Sequence, residues 1–153
     1  MKAFYIYEFS IGRLSIMEED GAITRIELAE QESGGSNRWE TPLIKSAAAQ
    51  LWEYFSGKRR QFDLPLDPRG TPFQKRVWTA LCSIPYGETR TYGQIAEKTG
   101  NPKASRAVGM ANHNNPIMIV IPCHRVIGAN GSLTGYAGGL SVKQRLLELE
   151  QGK

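Results

Sequence analysis

The apolar residues of the first 28 positions follow a different period from those of the rest of the chain, and this segregation restricts the fold more than any other feature of the sequence. Residues 4–9, 11–17 and 22–28 alternate apolar with polar side chains, and Glu18-Glu19-Asp20-Gly21 gives a tight-turn signal between the last two. An antiparallel meander is expected. A polar loop at 31–37 follows, and Thr41-Pro42 then opens a helix with a capping hydroxyl and a proline at the first helical position. Leu43, Ala47, Leu51 and Phe55 are its expected buried stripe. Gly57 with Lys58-Arg59-Arg60 ends it, and 62–68 reads as a Pro-rich extended connector. Strands first and helices afterwards mark an α+β chain. Its 153 residues suffice for one sizeable core or two small ones, so two lobes are expected, 1–70 and 71–153, divided near Gly70.

Thr71-Pro72 repeats the start signal, and Phe73, Val77, Ala80, Leu81 and Ile84 form an apolar stripe until Pro85. Residues 91–98 make a short helix ending at Gly100, and Asn101-Pro102 is expected to start another that runs through Gly109. With Ile95, Ala96, Ala104 and Val108 facing inward, the pair reads as a helix-turn-helix. The apolar run 117–121 suits a buried strand, Asn130-Gly131 a turn, and 141–150 an amphipathic helix. Charge follows the same division. Residues 1–70 hold 9 Lys+Arg and 11 Asp+Glu, a net −2, whereas 71–153 hold 10 and 4, a net +6. A basic C-terminal part favours a polyanion, first of all nucleic acid. No signal-peptide pattern and no run of ~20 apolar residues occurs, which points to the cytoplasm. Cys82 and Cys123 lack closely spaced partners, so free thiols, no metal and no cofactor are expected.

Ile121-Pro122-Cys123-His124-Arg125-Val126 is the sharpest local feature. A thiolate is the reactive form of cysteine, and cationic or proton-accepting neighbours favour it over a thiol whose ordinary pKa is ~8.5. Cys123 is therefore a candidate nucleophile. On an extended backbone, however, adjacent side chains point to opposite faces, so adjacency alone does not join Cys123 to His124.

Together with the upstream Asn101-Pro102-Lys103-Ala104-Ser105-Arg106-Ala107-Val108-Gly109 and the downstream Gly135-Tyr136-Ala137-Gly138-Gly139-Leu140, Leu146-Leu147 and Glu150, this core resembles the O6-alkylguanine-DNA alkyltransferases. The match runs over residues 72–150 in the family's order and spacing, while the N-terminal part resembles the family in size and strand-helix order. The resemblance implies a ribonuclease-H-like N-terminal lobe, and a mainly helical, winged-helix-like lobe that reads double-stranded DNA containing O6-alkylguanine through its minor groove. It makes Cys123 the alkyl acceptor, used once, with His124 as a base acting through a water and Glu150 orienting the imidazole. Tyr92 would give a proton to the departing guanine, and Asn115 would tie the active-site turn together. Arg106 would fill the stack as the nucleotide rotates out, with Lys103, Ala104, Ser105 and Gly109 along the DNA-facing segment. Val126, Tyr136, Ala137 and Gly138 would wall the pocket. Position 137 is Ala where some members carry Ser, leaving only its backbone amide for the base. Residues 1–70 contain no Cys or His, so the structural zinc of some relatives cannot be assembled there. Cys82 is expected to be a packed bystander, His113 a surface residue near the DNA side, and the protein a monomer without membrane attachment.

Three other classes compete. Alkyltransferase-like proteins bind lesions without reacting and replace the acceptor cysteine, which Cys123 opposes. A helix-turn-helix regulator would leave Cys123, His124 and Glu150 without purpose. A Cys-His hydrolase lacks a further separated His and Asp/Asn set.

Overall fold

The computed structural model describes residues 1–29, 37–133 and 139–152. The chain divides into two compact units, Met1–Pro68 and Arg69–Lys153.

In the first unit, β1 (Lys2–Phe9), β2 (Gly12–Glu19) and β3 (Ala22–Leu28) form an antiparallel sheet in that order. The β2–β3 turn is made by Asp20 and Gly21, at φ 52° and 84°. Two positive φ values in succession match the right-handed strand twist of a two-residue hairpin, and they explain the Asp-Gly pair. Thr41 caps α1 (Pro42–Phe55) by accepting from the Ile44 amide at 3.1 Å. Leu14, Ile16, Ile23 and Ile26 of the sheet are buried, as are Ile44, Ala47, Ala48, Leu51 and Tyr54 of the helix. The helix thus turns a different edge inward than its spacing suggested, with Leu43 and Phe55 half-buried beside the stripe. Gln50 exchanges two hydrogen bonds with the backbone of Asp63, at 3.0 and 2.9 Å, which holds the proline-rich connector to α1.

The second unit comprises α2 (Pro72–Cys82), β4 (Arg90–Thr91), α3 (Tyr92–Lys98), α4 (Ser105–His113), a 3-10 turn at Cys123–Arg125, β5 (Val126–Ile127) and α5 (Leu140–Glu150). Both α2 and α3 start with a capping box, Thr71 with Gln74 and Thr91 with Gln94, in which side chain and backbone satisfy each other reciprocally. Trp78, only 2% exposed, donates its indole N–H to the Ala111 carbonyl at 2.8 Å and so pins α2 to α4. Ile95, Ala96 and Val108 are buried as expected, whereas Ala104 is half-buried.

Three local expectations are corrected. α4 starts at Ser105, because Asn101-Pro102 forms a turn closed by Ala104 N to Asn101 O at 3.0 Å, with proline at its second position. Residues 117–121 are a mostly buried run of turns instead of a strand: the Val120 amide bonds to Met118 O and that of Ile121 to Ile117 O. Cys82 lies exposed, off the packed face of α2.

Candidate active site around Cys123

The coil before Cys123 is held by one side chain. Asn115 accepts from the Ile117 amide at 3.0 Å and donates to the carbonyls of Ile121 at 2.8 Å and Ile117 at 3.3 Å. Those bonds satisfy backbone groups that a strand partner would otherwise take. Within the coil Ile119 adopts φ 72°, a left-handed conformation that costs a β-branched residue on the order of 1–3 kcal/mol and persists only where the surroundings over-determine it. Pro122 follows, and the 3-10 turn replaces the extended backbone assumed from the sequence. Asn112, 1% exposed on α4, donates to the Cys123 carbonyl at 3.2 Å and anchors the turn from its other side.

Cys123 is 4% exposed, His124 0% and Glu150 6%. His124 Nε2 lies 2.6 Å from Glu150 Oε2, and its Nδ1 has no hydrogen-bond partner among the described residues. Burial lowers the pKa of His124 below its ordinary 6.5; the hydrogen bond and charge of Glu150 oppose this, and the charges of Arg125 and Lys143 add to it. The imidazole is thus neutral at pH 7, with Nε2–H donating to the carboxylate and Nδ1 left as an acceptor. Arg125 completes the arrangement. Its Nε donates to Glu150 Oε1 at 2.7 Å, its Nη2 to Oε2 at 3.1 Å, and its Nη1 to the Ile84 carbonyl at 2.7 Å. This fork fixes the carboxylate in one plane. The sequence reading set the guanidinium beside the thiol; in the structure it serves the carboxylate.

Tyr92 comes to this region through a two-residue parallel ladder. Arg90 pairs with Val126 and Thr91 with Ile127, so the first residue of α3 emerges next to the strand that leaves the 3-10 turn. A Cβ placed on Gly109 would lie 3.8 Å from the Tyr92 ring, which puts that ring against α4. Arg106 is exposed on the first turn of α4, preceded by exposed Lys103 and by half-buried Ala104 and Ser105. His113 is exposed at the other end of α4. Val126 is buried directly after the turn. Tyr136, Ala137 and Gly138 lie outside the described residues.

A model of the 6-O-methylguanine DNA methyltransferase DNA-binding domain matches residues 72–152, and one of the ribonuclease-like domain of the same proteins matches residues 3–68. This chain belongs to the O6-methylguanine DNA methyltransferase family. Among relatives of this methyltransferase family, the methylated-DNA–protein-cysteine methyltransferase of Methanosarcina acetivorans is 49% identical, over 96% of this chain and 97% of that protein. The constitutive one of Bacillus subtilis is 46% identical over 99% and 96%. The crystal structure of Mycobacterium tuberculosis O6-methylguanine methyltransferase superposes with a TM-score of 0.90 at 47% identity, covering 99% of this chain and 94% of that one. That of Mycobacterium tuberculosis OGT in complex with DNA gives 0.90 at 48%, covering 98% and 93%.

Three residues of this family member went unassigned in the sequence. Sequence adjacency places Arg125 beside the thiol and gives Asn112 no role. Lys143 is completely buried on α5; burial pushes its pKa down from 10.5 to about 8, and a charge interaction with Cys123 opposes that shift. A signal for Lys143 existed: it shares the spacing 143, 146, 150 with buried Leu146 and Glu150, one face of a helix. Among the described residues no three His, Cys, Asp or Glu side chains gather as a metal site, and no helix is long and apolar enough to cross a membrane.

Proposed function

We infer that this protein repairs DNA by moving the alkyl group of O6-alkylguanine onto its own Cys123, once per molecule. The observation that carries the reading is the buried His124, tied to Glu150 through Nε2 at 2.6 Å while Nδ1 has no partner among the described residues. A neutral imidazole so held can take the Cys123 proton through a water, and the Glu150 carboxylate stabilises the imidazolium that results. The thiolate attacks the alkyl carbon, the S–C bond forms as the C–O6 bond breaks, and the electron pair passes to the guanine. Tyr92 supplies a proton to the leaving base, so the thiol hydrogen is in effect exchanged for the alkyl group. The thioether product has no easy route back to a thiol.

The division of labour follows the chain: residues 1–70 form the N-terminal lobe, and 71–153 carry DNA binding and the acceptor. The helix-turn-helix of α3 and α4 grips the minor groove by shape and backbone, and Arg106 takes the place of the extruded nucleotide. Val126, buried directly after the turn, walls the base pocket. The protein works as a monomer in the cytoplasm, where its two thiols stay reduced.

Intact-protein mass spectrometry after incubation with duplex containing O6-methylguanine tests the reading. One methyl group on Cys123 is expected, with Cys123→Ser inactive yet DNA-binding and Cys82→Ser near normal. Repeated turnover, or methylation at Cys82, defeats it.

A further inference from the structure

A cleft of about 450 Å3 opens beside α2 and the end of α3, lined by Lys75, Arg76 and Lys98 together with the side chains of Thr79, Ser83 and Thr99. Among the described residues no carboxylate lines it. None of its three cations enters an ion pair among the described residues, in contrast to Arg90, which pairs with Glu88, and Arg125, which pairs with Glu150. Lys98 reaches across from α3, its Nζ donating to Ser83 Oγ at 2.5 Å, and the Arg76 guanidinium lies 5.7 Å from the centre of the Phe73 ring.

Two helix ends work against an anion here. Ser83 and Thr99 are the C-caps of α2 and α3, and each end carries roughly half a negative charge from the helix dipole. Three full positive charges outweigh about one negative, so the cleft is net positive by about two. The cations carry the fit to phosphate oxygens, which accept hydrogen bonds from them, because the hydroxyls of Thr79, Ser83 and Thr99 already donate to the carbonyls of Lys75, Ala80 and Ala96. Lys98 is the last residue of α3, so the cleft borders the helix-turn-helix at the end of that helix remote from Tyr92.

We propose that this cleft binds the phosphate backbone of the duplex flanking the segment held by the helix-turn-helix, and so lengthens the DNA footprint of the protein. The proposal rests on the DNA-repair reading above. It makes no demand on the thiol chemistry.

The test compares the wild type with Lys75→Gln/Arg76→Gln/Lys98→Gln on unmodified duplexes of about one and about two helical turns, ~10 and ~20 base pairs, across a salt series. On the longer duplex the variant should lose two to three phosphate contacts. At a slope of ~0.9 per contact, the affinity lost between 50 and 200 mM salt then shrinks by about 12- to 40-fold relative to wild type. On the short duplex the two proteins should differ little, and free O6-benzylguanine should alkylate Cys123 equally fast in both. Lys75→Arg/Lys98→Arg should keep the wild-type slope. An unchanged slope on the longer duplex overturns the proposal, as does equal loss on both lengths, or loss in the charge-conserving variant. Because the DNA is unmodified, these outcomes are separate from failure of methyl transfer, which is read on wild-type Cys123 alone.

Discussion

Glu150 Oε2 is shared: it lies 2.6 Å from His124 Nε2 and accepts from Arg125 Nη2 at 3.1 Å, so the carboxylate that holds the imidazole is itself held by the imidazole's next neighbour in sequence. Burying a carboxylate is expensive unless its lone pairs are satisfied, and here a fork and an imidazole satisfy them.

Arg125→Met should therefore destabilise the protein by about 3–5 kcal/mol, the cost of leaving a buried carboxylate without its cation. Arg125→Lys keeps the charge and loses the fork, and should fall between. Since the Arg125 charge lowers the pKa of His124, its removal raises that pKa. The acid limb of the free O6-benzylguanine reaction, below pH 6.5 in the wild type, should then move to higher pH. Rates measured against pH on protein that remains folded check this, and coincident acid limbs would refute it.

Lys143 gives a second pH signature. Its folded pKa of about 8 lies below the 10.5 of the unfolded chain. Between these values the unfolded state binds a proton that the folded state has released, so stability rises with pH across that window, and the penalty is complete below pH 8. Melting temperatures from pH 7 to 10.5 should show this gain in the wild type relative to Lys143→Met. Parallel curves for the two proteins would show that the lysine is not so perturbed.

Tyr92→Phe removes one hydroxyl at the start of α3 and leaves the ring packed against Gly109. Loss of a general acid slows transfer by about 10²–10⁴-fold while DNA affinity stays near normal. Single-turnover rates at saturating DNA measure it. A strong loss of affinity with an unchanged rate would contradict the role.

Arg106→Ala separates two uses of an exposed guanidinium on α4. If Arg106 fills the space of an extruded nucleotide, transfer from duplex slows even at saturation, because unstacking costs a few kcal/mol that the side chain no longer offsets. Free O6-benzylguanine, which needs no extrusion, should react at a near-normal rate. Equal slowing with duplex and free base would place the damage in the pocket instead.

Local signals in this sequence carried wherever a few adjacent residues decide the structure. Thr41-Pro42 and Thr71-Pro72 start helices because a hydroxyl cap and a fixed φ act within one turn, and Asp20-Gly21 turns because both positions need positive φ. The same reasoning failed at Asn101-Pro102, where asparagine and proline serve a turn as well as a helix start, and at 117–121, whose apolar residues fit any buried backbone. There the outcome rested on Asn115, whose side chain takes the place of a strand partner.

The sequence by itself determined the α+β order of the chain, the strands of the sheet, the two Thr-Pro helices, and, through three separated motifs, the family and Cys123 as candidate nucleophile. Only the tertiary structure decided what stands around that thiol. The turn at Cys123–Arg125 is local, but Glu150 reaches His124 and Arg125 from 25 or more residues away, and Tyr92 arrives through the pairing of Arg90 with Val126. Lys143 becomes a buried cation only when α5 packs. Hydrogen-bond partners, burial and the pKa shifts that follow from it depend on distances between segments remote in the chain, and these exist only after the chain has folded.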